Sequence, residues 1–144
     1  AERTLSLVFR ALAGDDVDLS RLPLGDGRTS NVRLNYYPVG DPLSESDKLD
    51  VPDLGDMALH HHTDPGVLTL LLQDMTGGLQ ALTTDDGWID VAPEEGTIVV
   101  NLGDAMQVCS NDVYRSAVHR VQHRSSTTRY STPYFYSPTR DAVL

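Results

Sequence analysis

Hydrophobic residues near the start of the chain recur at the spacing of an α-helix, and Gly14 follows them as a stop signal. The pattern predicts an amphipathic helix over residues 4–13. Residues 15–30 are polar and rich in Asp, Pro and Gly, which is typical of a connection. The apolar positions stand at i, i+3, i+4 and i+7 and are Leu5, Val8, Phe9 and Leu12.

From residue 31 onward the pattern changes to short runs of aliphatic, β-branched and aromatic residues. Gly, Pro and Asp separate these runs, for example at residues 77–78, 85–87 and 93–96, and favour tight turns. Such a pattern is typical of an all-β sandwich or barrel. The predicted strands cover residues 32–37, 57–63, 68–73, 79–82, 88–91, 97–102, 117–123 and 129–136.

One long interruption separates the first two predicted strands. Residues 39–56 contain six carboxylates and two prolines, and therefore offer little apolar area to offset the entropy lost on ordering. We expect residues 43–56 to form a mobile flap beside the mouth of the barrel. The alternative is an ordered surface loop with no part in catalysis.

Charge and composition narrow the classes of partner. The 144 residues include 11 Lys and Arg against 21 Asp and Glu, a net charge of −10. This balance argues against nucleic-acid binding and against attraction to anionic lipid, and no apolar run approaches the roughly 20 residues that span a bilayer. Cys109 is the only cysteine of the 144 residues, and we expect no secretory leader. We therefore expect a soluble, cytoplasmic protein without a disulfide.

Two residues in the second predicted strand region have the chemistry of metal ligands. In extended chain, His62 and Asp64 project from one face with Cα atoms about 6–7 Å apart, which suits two ligands of one ion. His119, from a distant strand, is the candidate for the third position of a two-His, one-carboxylate site, as in non-haem Fe(II) oxygenases. A His-x-Asp pair alone is a weak signal that more often marks a surface turn. The other histidines are expected to be solvated or to support a ligand by hydrogen bonding: His60, His61 and His123.

The last predicted strand places a guanidinium beside a hydroxyl. Arg129 and Ser131 alternate onto one face, with Phe135 further along the same face. A planar guanidinium next to a hydroxyl suits a bound carboxylate. The alternative is a structural role in which Arg129 pairs with a surface carboxylate.

A series of short motifs runs in order through residues 31–138: RLNYYP (33–38), HTD (62–64), LTLL (68–71), GGLQ (77–80), GW (87–88), NLGD (101–104), SN (110–111), HRV (119–121) and RYS (129–131). In this order and at these intervals they resemble the C-terminal catalytic core of Fe(II)- and 2-oxoglutarate-dependent dioxygenases of the isopenicillin-N-synthase-like superfamily. Five residues of these motifs are expected to serve turns and packing: Gly78, Gly87, Trp88, Gly103 and Asn111.

The resemblance implies a mainly β fold, a distorted jelly roll (double-stranded β-helix) over residues 31–144. Residues 1–30 would form the short N-terminal helix and a linker. The iron ligands of the family fall on His62, Asp64 and His119.

The resemblance also assigns the co-substrate site. Arg129 and Ser131 would hold the distal carboxylate of 2-oxoglutarate, and Tyr37 would add a hydrogen bond. Asn35 would lie near the metal end of the co-substrate. Phe135 would lie against the substrate.

The activity implied by the resemblance is an oxygenase reaction. Fe(II), 2-oxoglutarate and dioxygen would act together, and decarboxylation to succinate and CO₂ would drive the oxidation, chiefly hydroxylation, of a small organic substrate. The protein would act as a monomer, with ascorbate as a reductant in assays. Desaturation and ring closure stay open, because the pocket wall decides the outcome and the substrate.

Two alternatives remain beside this function. One is an iron-dependent oxidase of the same superfamily that uses no 2-oxoglutarate. The other is a metal-binding jelly-roll fragment without catalysis. A cupin-type site at His60-x-His62 is disfavoured, because the expected glutamate is absent. Only a short helix precedes the core, so we expect that the chain is either a fragment or has an unusually open mouth. Residues 43–56 are longer than the family's usual link, which leaves the substrate wall undefined.

Overall fold

The computed structural model describes residues 1–15, 18, 28–40, 57–122 and 126–142. In these residues two antiparallel sheets enclose a cavity, and a helix packs against the outside of one sheet. The elements are, in chain order, α1 (Glu2–Ala13), β1 (Asn31–Val32), β2 (Asn35–Tyr37), β3 (Met57–His62), β4 (Leu68–Gln73), β5 (Leu79–Leu82), β6 (Trp88–Asp90), β7 (Val99–Leu102), α2 (Asp104–Cys109), β8 (His119–Gln122) and β9 (Arg129–Tyr136).

The strands wind back and forth between the two sheets. The larger sheet has the order β1-β9-β4-β7, with β2 also paired to β9, and the smaller sheet has the order β3-β8-β5-β6. From β2 onward the chain changes sheet at every step except the β5–β6 hairpin. This winding is that of a jelly roll, so the predicted fold is confirmed.

Helix α1 covers one end of the outer face of the larger sheet. Leu5 and Phe9 are buried there against Leu68, Met106 and Tyr136. Full burial of a Leu or Phe side chain contributes about 1.5–3 kcal/mol, so the apolar stripe is what fixes the helix to the sheet. The predicted helix is confirmed, with its start two residues earlier than expected.

The first predicted strand was wrong in one respect, because residues 32–37 form two strands rather than one. The N–H of Arg33 donates to the carbonyl of Pro133 at 3.0 Å. Pro133 has no N–H to return, so the regular ladder is interrupted there. The strand predicted at 97–102 begins at Val99, because Thr97 closes a turn on the carbonyl of Glu94.

Helix α2 was not predicted. Its six residues are fewer than the window over which a helical period can be recognised. The proposed flap at 43–56 and His123 lie outside the described residues. Of the helices in the described ranges, none is long and apolar enough to cross a membrane.

Candidate metal and carboxylate site

Three potential metal ligands meet at one end of the cavity. His62 closes β3, His119 opens β8, and the two residues are paired in the smaller sheet. Asp64 lies just beyond β3. The Nε2 atoms of the two histidines are each 3.8 Å from Asp64 Oδ1, and the ligand atoms of all three lie within 4.8 Å of one another.

Backbone carbonyls fix the orientation of both imidazoles. His62 Nδ1 lies 2.8 Å from the carbonyl oxygen of His60, and His119 Nδ1 lies 3.0 Å from that of Ala117. A carbonyl oxygen only accepts, so this pairing assigns the hydrogen of a neutral ring to Nδ1. The lone pair of each ring is then on Nε2, the atom that faces Asp64. His60 therefore supports His62 by hydrogen bonding, through its backbone carbonyl.

The carboxylate of Asp64 is oriented by two neutral donors. Thr69 Oγ1 donates to Asp64 Oδ2 at 2.6 Å, and Asn101 Nδ2 donates to the same oxygen at 2.9 Å. Asp64 is only 3% exposed, and in the described ranges the two histidines are the only basic side chains within 4.0 Å of it. A buried carboxylate calls for a cation, so these three residues fit a divalent metal ion.

The sequence assigned no role to Thr69 or Asn101. Thr69 lies in the LTLL motif and Asn101 in the NLGD motif, but their contact with Asp64 depends on how β4 and β7 pair. Helix α2, also unforeseen, holds the same turn, because the N–H of Asp104 donates to the carbonyl of Asp64 at 2.8 Å. A Cβ on Gly103 would lie 2.3 Å from the carbonyl oxygen of Gly66, so this close approach requires glycine.

A buried guanidinium lies toward the other end of the cavity. Arg129 is 4% exposed, and its Nη2 donates to Gln73 Oε1 at 3.1 Å. Its Nε and Nη1 are buried, with no hydrogen-bond partner in the described part of the chain. The guanidinium carbon is 5.0 Å from the centroid of the Tyr37 ring. Two unpaired donors on a buried cation fit the carboxylate of a ligand. Gln73 had no signal in the sequence.

Ser131 and Asn35 lie beside Arg129. Asn35 Nδ2 donates to Ser131 Oγ at 3.3 Å, and the two residues are partners across β2 and β9. Ser131 is also opposite Gln73 on β4. Asn35 therefore lies beside Ser131, and its place near the metal end of the co-substrate stays a prediction.

The carboxyl group of Asp74, which directly follows β4, has a lowered pKa. Burial disfavours ionised Asp74, but its carboxylate accepts the backbone N–H groups of Tyr130 and Thr76 and lies near the charge of Arg129. These contacts outweigh burial and hold the pKa of Asp74 below its ordinary value. Asp74 thus stays ionised and ties the start of β9 to the end of β4.

The two ends are separated by a distance that the sheet register defines. Thr69, which contacts Asp64, is opposite Phe135, whereas Gln73 is opposite Ser131. Four residues of strand correspond to about 13 Å. Apolar side chains from both sheets line much of the remaining wall: Leu59, Leu71, Leu79, Val91, Val99 and Val121.

Comparison with known proteins identifies relatives of this chain. The sequence profile of the 2OG-Fe(II) oxygenase superfamily matches residues 28–138. The chain is 43% identical over 122 residues to the 2-oxoglutarate-Fe(II) type oxidoreductase hxnY of Emericella nidulans, which covers 84% of this chain and 33% of that protein. It is 46% identical over 115 residues to the naringenin,2-oxoglutarate 3-dioxygenase of Callistephus chinensis, covering 78% and 29% of the two chains.

A solved structure is similar over nearly the whole chain. The Neurospora crassa enzyme in complex with alpha-KG and thymine superposes with a TM-score of 0.72 at 34% identity, covering 97% of this chain and 44% of that one. The chain spans about a third of the length of the curated relatives it matches. By its profile match and by its fold, the chain belongs to the 2OG-Fe(II) oxygenase superfamily.

Proposed function

We propose that the protein containing this chain is an Fe(II)- and 2-oxoglutarate-dependent oxygenase that oxidises a small organic substrate. Hydroxylation is the expected form of this oxidation. The observation that carries the proposal is that one cavity contains both the His62, Asp64 and His119 group and the unpaired donors of Arg129. If the metal and the 2-oxoglutarate carboxylate were bound in separate cavities, the two could not take part in one reaction.

The residues divide the work between the two ends of the cavity. His62, Asp64 and His119 would hold Fe(II) through Nε2, a carboxylate oxygen and Nε2, and three protein ligands leave positions for exchangeable ligands. When bound, Fe(II) would supply the chemistry of dioxygen activation, coupled to the oxidative decarboxylation of 2-oxoglutarate to succinate and CO₂. The chain orients the ligands, excludes water with its apolar wall and fixes the co-substrate.

Arg129 would receive the distal carboxylate of 2-oxoglutarate through Nε and Nη1. Ser131 would donate its hydroxyl to the same carboxylate, and Tyr37 stacks on the guanidinium and limits its movement. Asn35 holds the Ser131 hydroxyl in place. Phe135 is on the cavity wall at the metal end, where a substrate would reach the reacting centre.

The whole protein is expected to take a small molecule and dioxygen as its partners. The relatives named for naringenin and crystallised with thymine support a small organic substrate. We expect the protein to act as a monomer in the cytoplasm, where Cys109 would stay reduced. Gel filtration with light scattering measures the first of these expectations.

Succinate formation tests the proposed function. The protein, with Fe(II), ascorbate and 2-oxoglutarate, should release succinate slowly without a prime substrate and faster when a substrate panel provides one. Asp64→Ala and Arg129→Gln should each remove the activity, whereas Arg10→Gln, on the exposed side of α1, should keep it. Oxygen uptake without succinate would favour the 2-oxoglutarate-independent oxidase. Metal binding with neither product would indicate a module without catalysis.

A further inference from the structure

A second guanidinium, that of the exposed Arg33, belongs neither to the group of three metal-ligand candidates nor to the Arg129 carboxylate site. Arg33 lines the same cavity as His62 and Arg129. Its backbone N–H is held by Pro133 at 3.0 Å, and its guanidinium carbon lies 5.6 Å from the centroid of the Phe135 ring. The aromatic face supports the cation from one side, so the guanidinium edge remains available for a ligand.

The position of Arg33 separates it from the co-substrate anchor. Phe135 is opposite Thr69, the residue that contacts Asp64, so Arg33 and Phe135 belong to the metal end of the cavity. Arg129 is six residues earlier on β9, which corresponds to about 20 Å of strand. One bound dicarboxylate at Arg129 therefore leaves Arg33 without a ligand.

Arg33 is also without an anionic partner in the described ranges of the chain. No described carboxylate lies within 4.0 Å of its guanidinium, although the sequence has 21 acidic residues. A planar guanidinium binds carboxylates in a bidentate manner. The surrounding wall is largely apolar and contributes no third cation in the described residues. The single positive charge of Arg33 therefore suits a ligand with one negative charge better than a phosphate.

We propose that Arg33 and Phe135 bind the prime substrate, and that this substrate is a small carboxylic acid with an apolar or aromatic body. Arg33 would pair with the substrate carboxylate, and the substrate body would lie against Phe135 and the apolar wall. The inference rests on the proposed function, because it takes the metal end as the place of reaction. Arg33 is thus a specificity-determining residue and does not take part in the oxidation.

The test compares carboxylic acids with their neutral amides. The probes are benzoate, phenylacetate, 3-phenylpropanoate and cinnamate, each paired with its primary amide. Binding is measured by calorimetry, without oxygen, on protein loaded with Mn(II) and saturated with 2-oxoglutarate, so that Arg129 is occupied. Wild type should bind at least one acid about tenfold more tightly than its amide. Arg33→Gln should abolish that preference, and Arg33→Glu should reverse it.

The controls separate this inference from the proposed function. Arg10→Gln should keep the preference for the acid, and all Arg33 variants should bind 2-oxoglutarate within about twofold of wild type. Equal binding of acid and amide across the panel, including no binding, overturns the role of Arg33, as does a preference that survives in Arg33→Gln.

A protein that fails to bind 2-oxoglutarate refutes the proposed function instead. The acid and amide pairs are then measured on the Mn(II) protein in Arg33→Gln and Arg129→Gln. A preference lost only in Arg33→Gln supports the substrate site, and one lost only in Arg129→Gln overturns it.

Discussion

Thr69 donates its hydroxyl hydrogen to Asp64 Oδ2 across 2.6 Å, and both residues are buried. Thr69 belongs to the larger sheet, whereas His62 and His119 belong to the smaller one. The carboxylate is therefore oriented by one sheet and the two imidazoles by the other. The geometry of the candidate metal site thus depends on how the two sheets dock.

Removal of the Thr69 hydroxyl should weaken metal binding. Thr69→Val keeps the shape of the side chain and leaves Asp64 Oδ2 with Asn101 as its remaining donor. We expect Mn(II) affinity to fall by about 10- to 100-fold. Thr69→Ser restores the donor and should bind within about threefold of wild type. Unchanged Mn(II) affinity in Thr69→Val would show that Asp64 needs no such support.

The charge of Arg129 alone should not be sufficient for co-substrate binding. Arg129→Lys keeps a cation but loses the planar donor pair. Loss of charge-assisted hydrogen bonds costs about 2–3 kcal/mol, which is about 30- to 150-fold in affinity. Calorimetric titration of the Mn(II) protein with 2-oxoglutarate measures this loss. If Arg129→Lys binds 2-oxoglutarate within about twofold of wild type, Arg129 does not anchor the co-substrate.

Gln73 gives a sharper test of the same anchor. Because Gln73 Oε1 accepts from Arg129 Nη2, a Gln73→Glu variant would place a carboxylate on the guanidinium and neutralise it. We expect Gln73→Glu to weaken 2-oxoglutarate binding more than Gln73→Leu does, although Glu is closer than Leu to the shape of Gln. The reverse order would indicate that Arg129 does not meet the anion.

The stability of the fold should depend on the ionisation of Asp74. Its pKa is lowered in the folded state, so the ionised form contributes stability above the ordinary Asp pKa of 3.8. That contribution is lost as the pH falls below about 4 and through the lowered pKa. Urea unfolding should show wild type more stable than Asp74→Asn near pH 7, with the difference shrinking in acid. A difference independent of pH would contradict this account.

Local patterns were sufficient to predict much of the fold. The strands at residues 68–73, 79–82 and 129–136 have the predicted bounds, because alternation and turn residues define each strand within its own segment. The same alternation predicted that Arg129, Ser131 and Phe135 share a face, and all three line the cavity. Their roles, and those of the three candidate metal ligands, stay predictions.

Features that depend on pairing between distant segments could not be predicted. Asn101 and Asp64 are 37 residues apart, and Gln73 and Arg129 are 56 apart. Such contacts follow from the register between strands, which the hydrophobic pattern within a single segment does not determine. The break between β1 and β2 has the same origin, because it is caused by Pro133 on the opposite strand.

The late position of β9 in the chain has a consequence for synthesis. In the described strands, β1 and β2 pair only with β9, and Asn35 precedes Ser131 by 96 residues. At about 5–20 residues per second a ribosome needs about 5–20 s to cover that interval. During this time the edges of β1 and β2 are open to other chains, so slower translation should increase aggregation and the demand for chaperones.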